Sequence, residues 1–195
     1  MKSFFSTLLF IATALGSFAQ SKPDSSKHLS FKGVPINGTL ADYVAKMKKS
    51  GFTHKGTKDG VAMLEGEYAS YKNCIVGVST LKQKDLVDRI VVLFPNRETW
   101  SALSSNYSNL KELLTEKYGT PSENVEEFST SVDDDGTKLI QAQMGSCNYL
   151  TTYVTDKGTI QLKIEHDGEM HCFVKLAYFD KINGEAVKKQ ALDDL

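Results

Sequence analysis

The sequence predicts an α+β protein: two tandem helix-plus-antiparallel-sheet repeats forming one compact body. Three observations predict it. Apolar residues recur three and four apart over residues 39–50 and 98–118, the spacing of one helix face. Elsewhere short β-rich runs are bounded by Gly, Asp and Asn, the pattern of strands and turns. A helix followed by three strands then occurs twice along the chain, a repeat of pattern rather than of residue identity.

Ahead of the first repeat lies a secretory pattern. Lys2 supplies a positive start, Phe4 to Leu15 is an apolar run, and Gly16-Ser17-Phe18-Ala19 places small residues before Gln20. The run is shorter than the roughly 20 apolar residues of a membrane span, and no cysteine stands at the cleavage point to carry a lipid. Residues 1–19 are therefore expected to be a signal peptide and residues 20–30 a flexible polar linker. The working protein is expected to be exported, periplasmic or extracellular and soluble, with no membrane insertion after cleavage. Net charge is −1, from 23 Lys and Arg against 24 Asp and Glu. Without a clustered basic excess, nucleic acid is not an expected partner.

The first unit spans 31–97. Thr39 is the expected N-cap of its helix, Leu40, Tyr43, Val44 and Met47 form the inward stripe, and Gly51 is the stop. Lys46, Lys48 and Lys49 crowd the last turn, where the negative end of the helix dipole favours them. Strands follow at 61–69, 74–80 and 87–94. Pairing Val76 with Val92 and Val78 with Ile90 keeps one face apolar, which pins the register. The second unit spans 98–183. Its helix carries Trp100, Leu103, Tyr107, Leu110 and Leu114, with a break expected at Ser104-Ser105-Asn106 and a stop at Tyr118-Gly119-Thr120-Pro121. A modest strand is expected over Glu123 to Thr130. Asp133-Asp134-Asp135-Gly136 turns a hairpin or caps a short helix over Thr137 to Met144, the helix being slightly favoured. Strands at 149–155, 159–166 and 170–179 complete the unit, and the tail 184–195 suits one short helix.

Several stretches resemble uncharacterised exported proteins of Bacteroides-type bacteria: Phe31-Lys32-Gly33-Val34-Pro35-Ile36, Tyr71-Lys72-Asn73-Cys74, Leu110 to Leu114 through Lys117 to Pro121, and Gly158 to Leu162. The helix–sheet tandem itself resembles the architecture of the secreted β-lactamase inhibitor proteins and of small outer-membrane assembly lipoproteins. The first resemblance brings no activity. The lipoproteins' lipid-bearing cysteine has no counterpart here, which argues against a membrane-tethered assembly role.

Candidate chemistry is sparse. In His166-Asp167-Gly168-Glu169-Met170-His171 two histidines lie beside carboxylates. Setting Ile160, Leu162 and Ile164 opposite Leu176, Val174 and Cys172 implies a three-residue loop. His171 then faces Glu165 and His166 points to the core, so no shared metal site is expected. The adjacent aspartates 133–135 lack the alternation of a calcium loop. His28 and His54 are expected in linker or loop. No nucleophile elbow, phosphate loop or dinucleotide fingerprint occurs, and no cofactor is expected. Cys74, Cys147 and Cys172 are either buried thiols or, in an exported protein, two of the three are oxidised to a disulfide. What remains is surface. If each helix covers one sheet face, the opposite face carries Met63, Ile75, Val91 and Leu93, then Phe173, Ala177 and Phe179, among Glu65, Lys163 and Lys175. The sequence therefore predicts a non-catalytic exported binding protein that meets an unknown protein or envelope ligand on this face, unless the halves or termini cover it. A hydrolase-like enzyme with a site gathered from distant residues, and a cell-envelope assembly factor, are the alternatives.

Overall fold

In the computed structural model, which describes residues 27–80 and 85–193, the longer strands form one antiparallel sheet of eight. The signal pattern at 1–19 and the spacer through Ser26 lie outside the described residues. A small hairpin, β1 (Ser30–Phe31) and β2 (Val34–Pro35), leads into helix α1 (Leu40–Lys49). Then come β3 (Thr53–Lys58), β4 (Val61–Tyr68), β5 (Tyr71–Thr80) and β6 (Val87–Leu93). Helix α2 (Trp100–Tyr118) is followed by β7 (Glu123–Phe128) and helix α3 (Asp135–Gln143). The chain closes with β8 (Cys147–Thr155), β9 (Gly158–His166), β10 (Cys172–Asp180) and helix α4 (Lys181–Asp193).

The strand order is β3-β4-β5-β6-β10-β9-β8-β7. Separate three-stranded sheets are thus replaced by a single sheet, continuous through the β6–β10 pair. β3 is the strand that sequence patterning misses: THKGTK has no apolar alternation, all six residues are exposed, and pairing with β4 is what makes it a strand.

The β5–β6 register is the expected one, with Val76 opposite Val92 and Val78 opposite Ile90. Between β9 and β10 it is two residues off. Cys172 faces His166 and Phe173 faces Glu165, so the loop is Asp167–His171 rather than three residues. The cause is Asp167, whose Oδ1 accepts the N–H groups of Glu169 (2.8 Å) and His171 (3.2 Å) and so organises a wider turn. A shift of two preserves the face of every side chain.

Helix starts follow the sequence. Thr39 Oγ1 accepts the Asp42 N–H and Thr99 Oγ1 the Ala102 N–H, each at 3.2 Å. Asp134 Oδ1 caps α3 through the Thr137 N–H at 2.8 Å, so the short helix is what forms after the aspartate run. α2 runs unbroken through Ser104-Ser105-Asn106. Asn106 is buried, with its amide oxygen accepting Arg97 Nε (2.8 Å) and Nη2 (3.1 Å). Burial of Leu103, Tyr107, Leu110 and Leu114 on the sheet outweighs the few tenths of a kcal/mol that each poor helix former costs.

The core lies between the helices and one sheet face. Ala62, Leu64, Val76, Val78, Ile90, Val92, Ile160, Leu162, Val174, Leu176 and Tyr178 all point into it and are buried. Tyr107 Oη bonds Thr151 Oγ1, and Tyr153 Oη donates to the Lys111 carbonyl at 3.0 Å, tying α2 to β8.

Residues 28–30, expected in a flexible linker, are part of this core's lid. His28 and Leu29 are buried. Asn37 Oδ1 accepts the Gly38 N–H at 2.7 Å, which turns its Nδ2 toward His28 Nε2 at 3.0 Å. Nε2 therefore accepts and Nδ1–H donates to Asp180 Oδ2 at 2.9 Å. Asp180 also accepts the N–H of Leu29 (2.9 Å) and of Asn183 (3.0 Å). Asn183 Nδ2 donates to the carbonyls of Ile36 (3.0 Å) and Val87 (2.8 Å), so the first turn of α4 clasps the N-terminal strap.

Candidate functional site: the uncovered sheet face

Side chains alternate across a strand, so the core residues of β4, β5, β6 and β10 leave their odd-numbered neighbours on the other face. The registers align these in three lateral rows. Glu65, Ile75, Leu93 and Lys175 form the first; Met63, Gly77, Val91 and Ala177 the second; Val61, Ser79, Arg89 and Phe179 the third. Phe173 stands beyond them, opposite Glu165 on β9. Every sequence-predicted face residue, Met63, Ile75, Val91, Leu93, Phe173, Ala177 and Phe179, is therefore on one continuous surface.

Exposure follows size along the rows. Met63 is 36% exposed, while Ile75, Val91, Leu93, Phe173 and Phe179 are half-buried. Gly77 and Ala177 are buried, and the side chains of Val61 and Met63 lie over Gly77. Met63 and Val91 supply the accessible apolar atoms of the middle row.

Charges flank the apolar strip. Glu165 sits between two lysines, Lys175 Nζ at 2.9 Å and Lys163 Nζ at 3.0 Å. Burial alone raises the Glu165 carboxyl, but the hydrogen bonds from Lys175 and Lys163 outweigh it and leave the group below the usual range. One carboxylate against two ammonium groups gives this side a net positive charge. On the other side Glu65 pairs with Lys55 at 2.7 Å, and Glu67 adds a further exposed carboxylate.

The three cysteines are free. Cys74 lies on β5, Cys172 on β10 and Cys147 on β8, and at least one strand separates each pair. Two strand spacings are about 9.6 Å, beyond the roughly 7 Å Cα separation that a disulfide can bridge. Burial raises all three thiols above their ordinary values, Cys147 to about 12. They pack as small apolar groups, and Cys74 Sγ donates to the Tyr71 carbonyl at 3.3 Å.

His166 and His171 do not converge. His166 is on the core face beside Cys172, its Nδ1 buried without a partner, while His171 is exposed and bonds Asp167 Oδ2 at 2.7 Å. The carboxylates of Asp167 and Glu169 and the His171 imidazole have ligand atoms within 4.8 Å of one another. Asp167 already serves the turn with both oxygens. Two of the 133–135 aspartates are caps as well: Asp134 for α3, and Asp135 Oδ1 for the Ser101 N–H of α2 at 2.8 Å. His54 is on β3, bonded to Thr57 Oγ1 at 3.0 Å.

A narrow crevice that patterning did not find lies on the helical side. Tyr68, Tyr178, Leu110, Leu113 and Lys117 line about 90 Å³ between the β4–β5 turn and α2. The Tyr68 and Tyr178 hydroxyls bond each other at 2.7 Å, and burial pushes the Tyr68 phenol up to about 12. Both stay protonated at neutral pH, and the contact ties the turn to β10.

No known family model matches the chain, and no curated relative or solved structure is similar to it.

Proposed function

We propose that this is an exported, non-catalytic interaction protein whose working surface is the uncovered sheet face. One observation carries the reading: Met63, Ile75, Val91 and Leu93 form a contiguous apolar strip across β4, β5 and β6, left half-open while the opposite face is fully covered. An apolar strip with charged flanks is the make-up of a protein-binding surface. Its shape is shallow, suited to another surface rather than to a small molecule. The order of one helix then four strands occurs in each half, with α3 inserted in the second. That order supports reading the body as two helix–sheet units fused edge to edge, as the β-lactamase inhibitor-like resemblance implies.

A photo-crosslinking residue at Val91 and a control at Leu113, which is 52% exposed on the helical side, test the assignment. Incubated with envelope and culture fractions, the Val91 probe is expected to yield discrete protein adducts that Leu93→Asp abolishes without changing the circular dichroism. Equal labelling from both positions, or adducts indifferent to Leu93→Asp, would remove the face as the working surface.

A further inference from the structure

The face is complementary to itself. Resting on the reading of this face as an interaction surface, we propose that its occupant is a second copy of this chain, in a two-fold symmetric dimer with the faces packed together.

Place the two-fold axis parallel to the strands, midway between β5 and β6. Each lateral row then lies against its own reversal, so residue i meets j and j meets i. In the first row Glu65 meets the partner's Lys175, and Ile75 meets the partner's Leu93. In the second, Met63 meets the partner's Ala177, and Val91 meets the partner's Gly77. In the third, Val61 meets the partner's Phe179, and Ser79 the partner's Arg89. The rows come directly from the observed registers.

Two kinds of fit coincide. The charged ends of the first row have opposite sign, so reversal creates two equivalent ion pairs. In the middle row Met63 and Val91 supply the apolar contact, since Gly77 and Ala177 are already covered within each copy. Aligned sheets pack about 10 Å apart and about 30° askew, so the fit is closest in the middle row and loosens outward. Four strands by five residues cover about 20 Å by 17 Å, roughly 340 Å² on each copy, less than a standard stable interface buries and the scale of a weak, transient one. The dimer is accordingly concentration-dependent. Lys55 and Glu165, which hold Glu65 and Lys175 within the monomer, sit at the rim and extend the two ion pairs.

Symmetry supplies a test that misfolding cannot mimic. Glu65→Lys alone sets lysine against the partner's Lys175, and Lys175→Glu alone sets glutamate against the partner's Glu65. By sedimentation velocity from 1 to 500 μM (roughly the span for so small an interface), the unaltered protein is expected to dimerise. Each single variant is expected to weaken dimerisation at least tenfold. Mixing the two single variants restores it, since both ion pairs re-form in the mixed dimer, and so does the double substitution in one chain.

A monomer across the whole range, a dimer indifferent to both single changes, or no recovery on mixing would each overturn the proposal. If the protein stays monomeric while the Val91 probe still captures an envelope protein, self-association fails and the interaction face stands. If the probe captures nothing as well, both fail.

Discussion

Asp88 stands half-buried in β6, and burial lifts its carboxyl above the usual range, against the opposing pull of Arg89. For an acid whose folded pKa is raised, ionisation is resisted by the native state. The penalty is absent below the unfolded pKa and grows as pH climbs through the folded one. Asp88→Asn is therefore expected to raise Tm at pH 7, with the gain vanishing near pH 3; thermal melts at both pH values check this. Glu165 has the opposite sign, since its folded pKa is depressed. Its contribution is present above the unfolded pKa and is lost as pH falls through the folded one. Among single residues, the helix caps were legible in the sequence: Thr39 caps α1, and Gly51 and Gly119 take the positive φ that ends α1 and α2. His28 was not legible. Its partner, Asp180, is 152 residues away, and nothing local to a polar N-terminal stretch marks a histidine as buried.

Helix α2 draws its stability from one buried stripe rather than from propensity. Leu110 is 2% exposed in the middle of that stripe, between the sheet and the crevice beside Tyr68. Leu110→Ala is expected to cost about 2–5 kcal/mol, read from the denaturant midpoint at unchanged slope. Asn106 explains why the expected break does not occur: a residue poor for helices was chosen there to hold Arg97, not to interrupt the turn. At the sheet margins, β3 and β7 carry Lys55, Lys58, Glu123, Glu126 and Glu127, and β3 has a register irregularity between His54 and Gly56. Charges and bulges are how edge strands avoid adding further chains. They also hide β3 from pattern reading, because a strand that must stay unattractive at its edge has no apolar alternation to detect. The Asp167 turn was misjudged for a related reason. Matching apolar residues fixes a register only modulo two, and side-chain-to-backbone bonds decide the rest.

The eight longer strands make one sheet because β6 and β10 meet, and this seam leaves no signal within either half of the sequence. The α+β class and the set of residues that share the outer face were legible, since both follow from periodicity within strands; that this face is left open was not. The joining of the halves was not, since it pairs residues 89–93 with 175–179 and no local signal bears on so distant a match. Sheets rich in such long-range pairs fold slowly, on the millisecond-to-second scale. At this scale the clasp is the sensitive point. Asp180→Ala leaves His28 Nδ1 and the N–H groups of Leu29 and Asn183 buried without an acceptor. A loss of about 3–5 kcal/mol is expected, with hydrogen exchange rising first across residues 28–36.

That clasp also sets an order of events during synthesis. A chain is made from its N-terminus, so the strap at 28–36 is among the first described segments to appear, yet its anchors, Asp180 and Asn183, are among the last. Phe31 can meet Phe52 and Tyr68 early, but until β10 and the start of α4 have been made it lacks Tyr178, and the Leu29 N–H and the Ile36 carbonyl lack Asp180 and Asn183. The nascent protein thus carries an open front end for almost its whole length of growth, and closes it only when the final strand arrives.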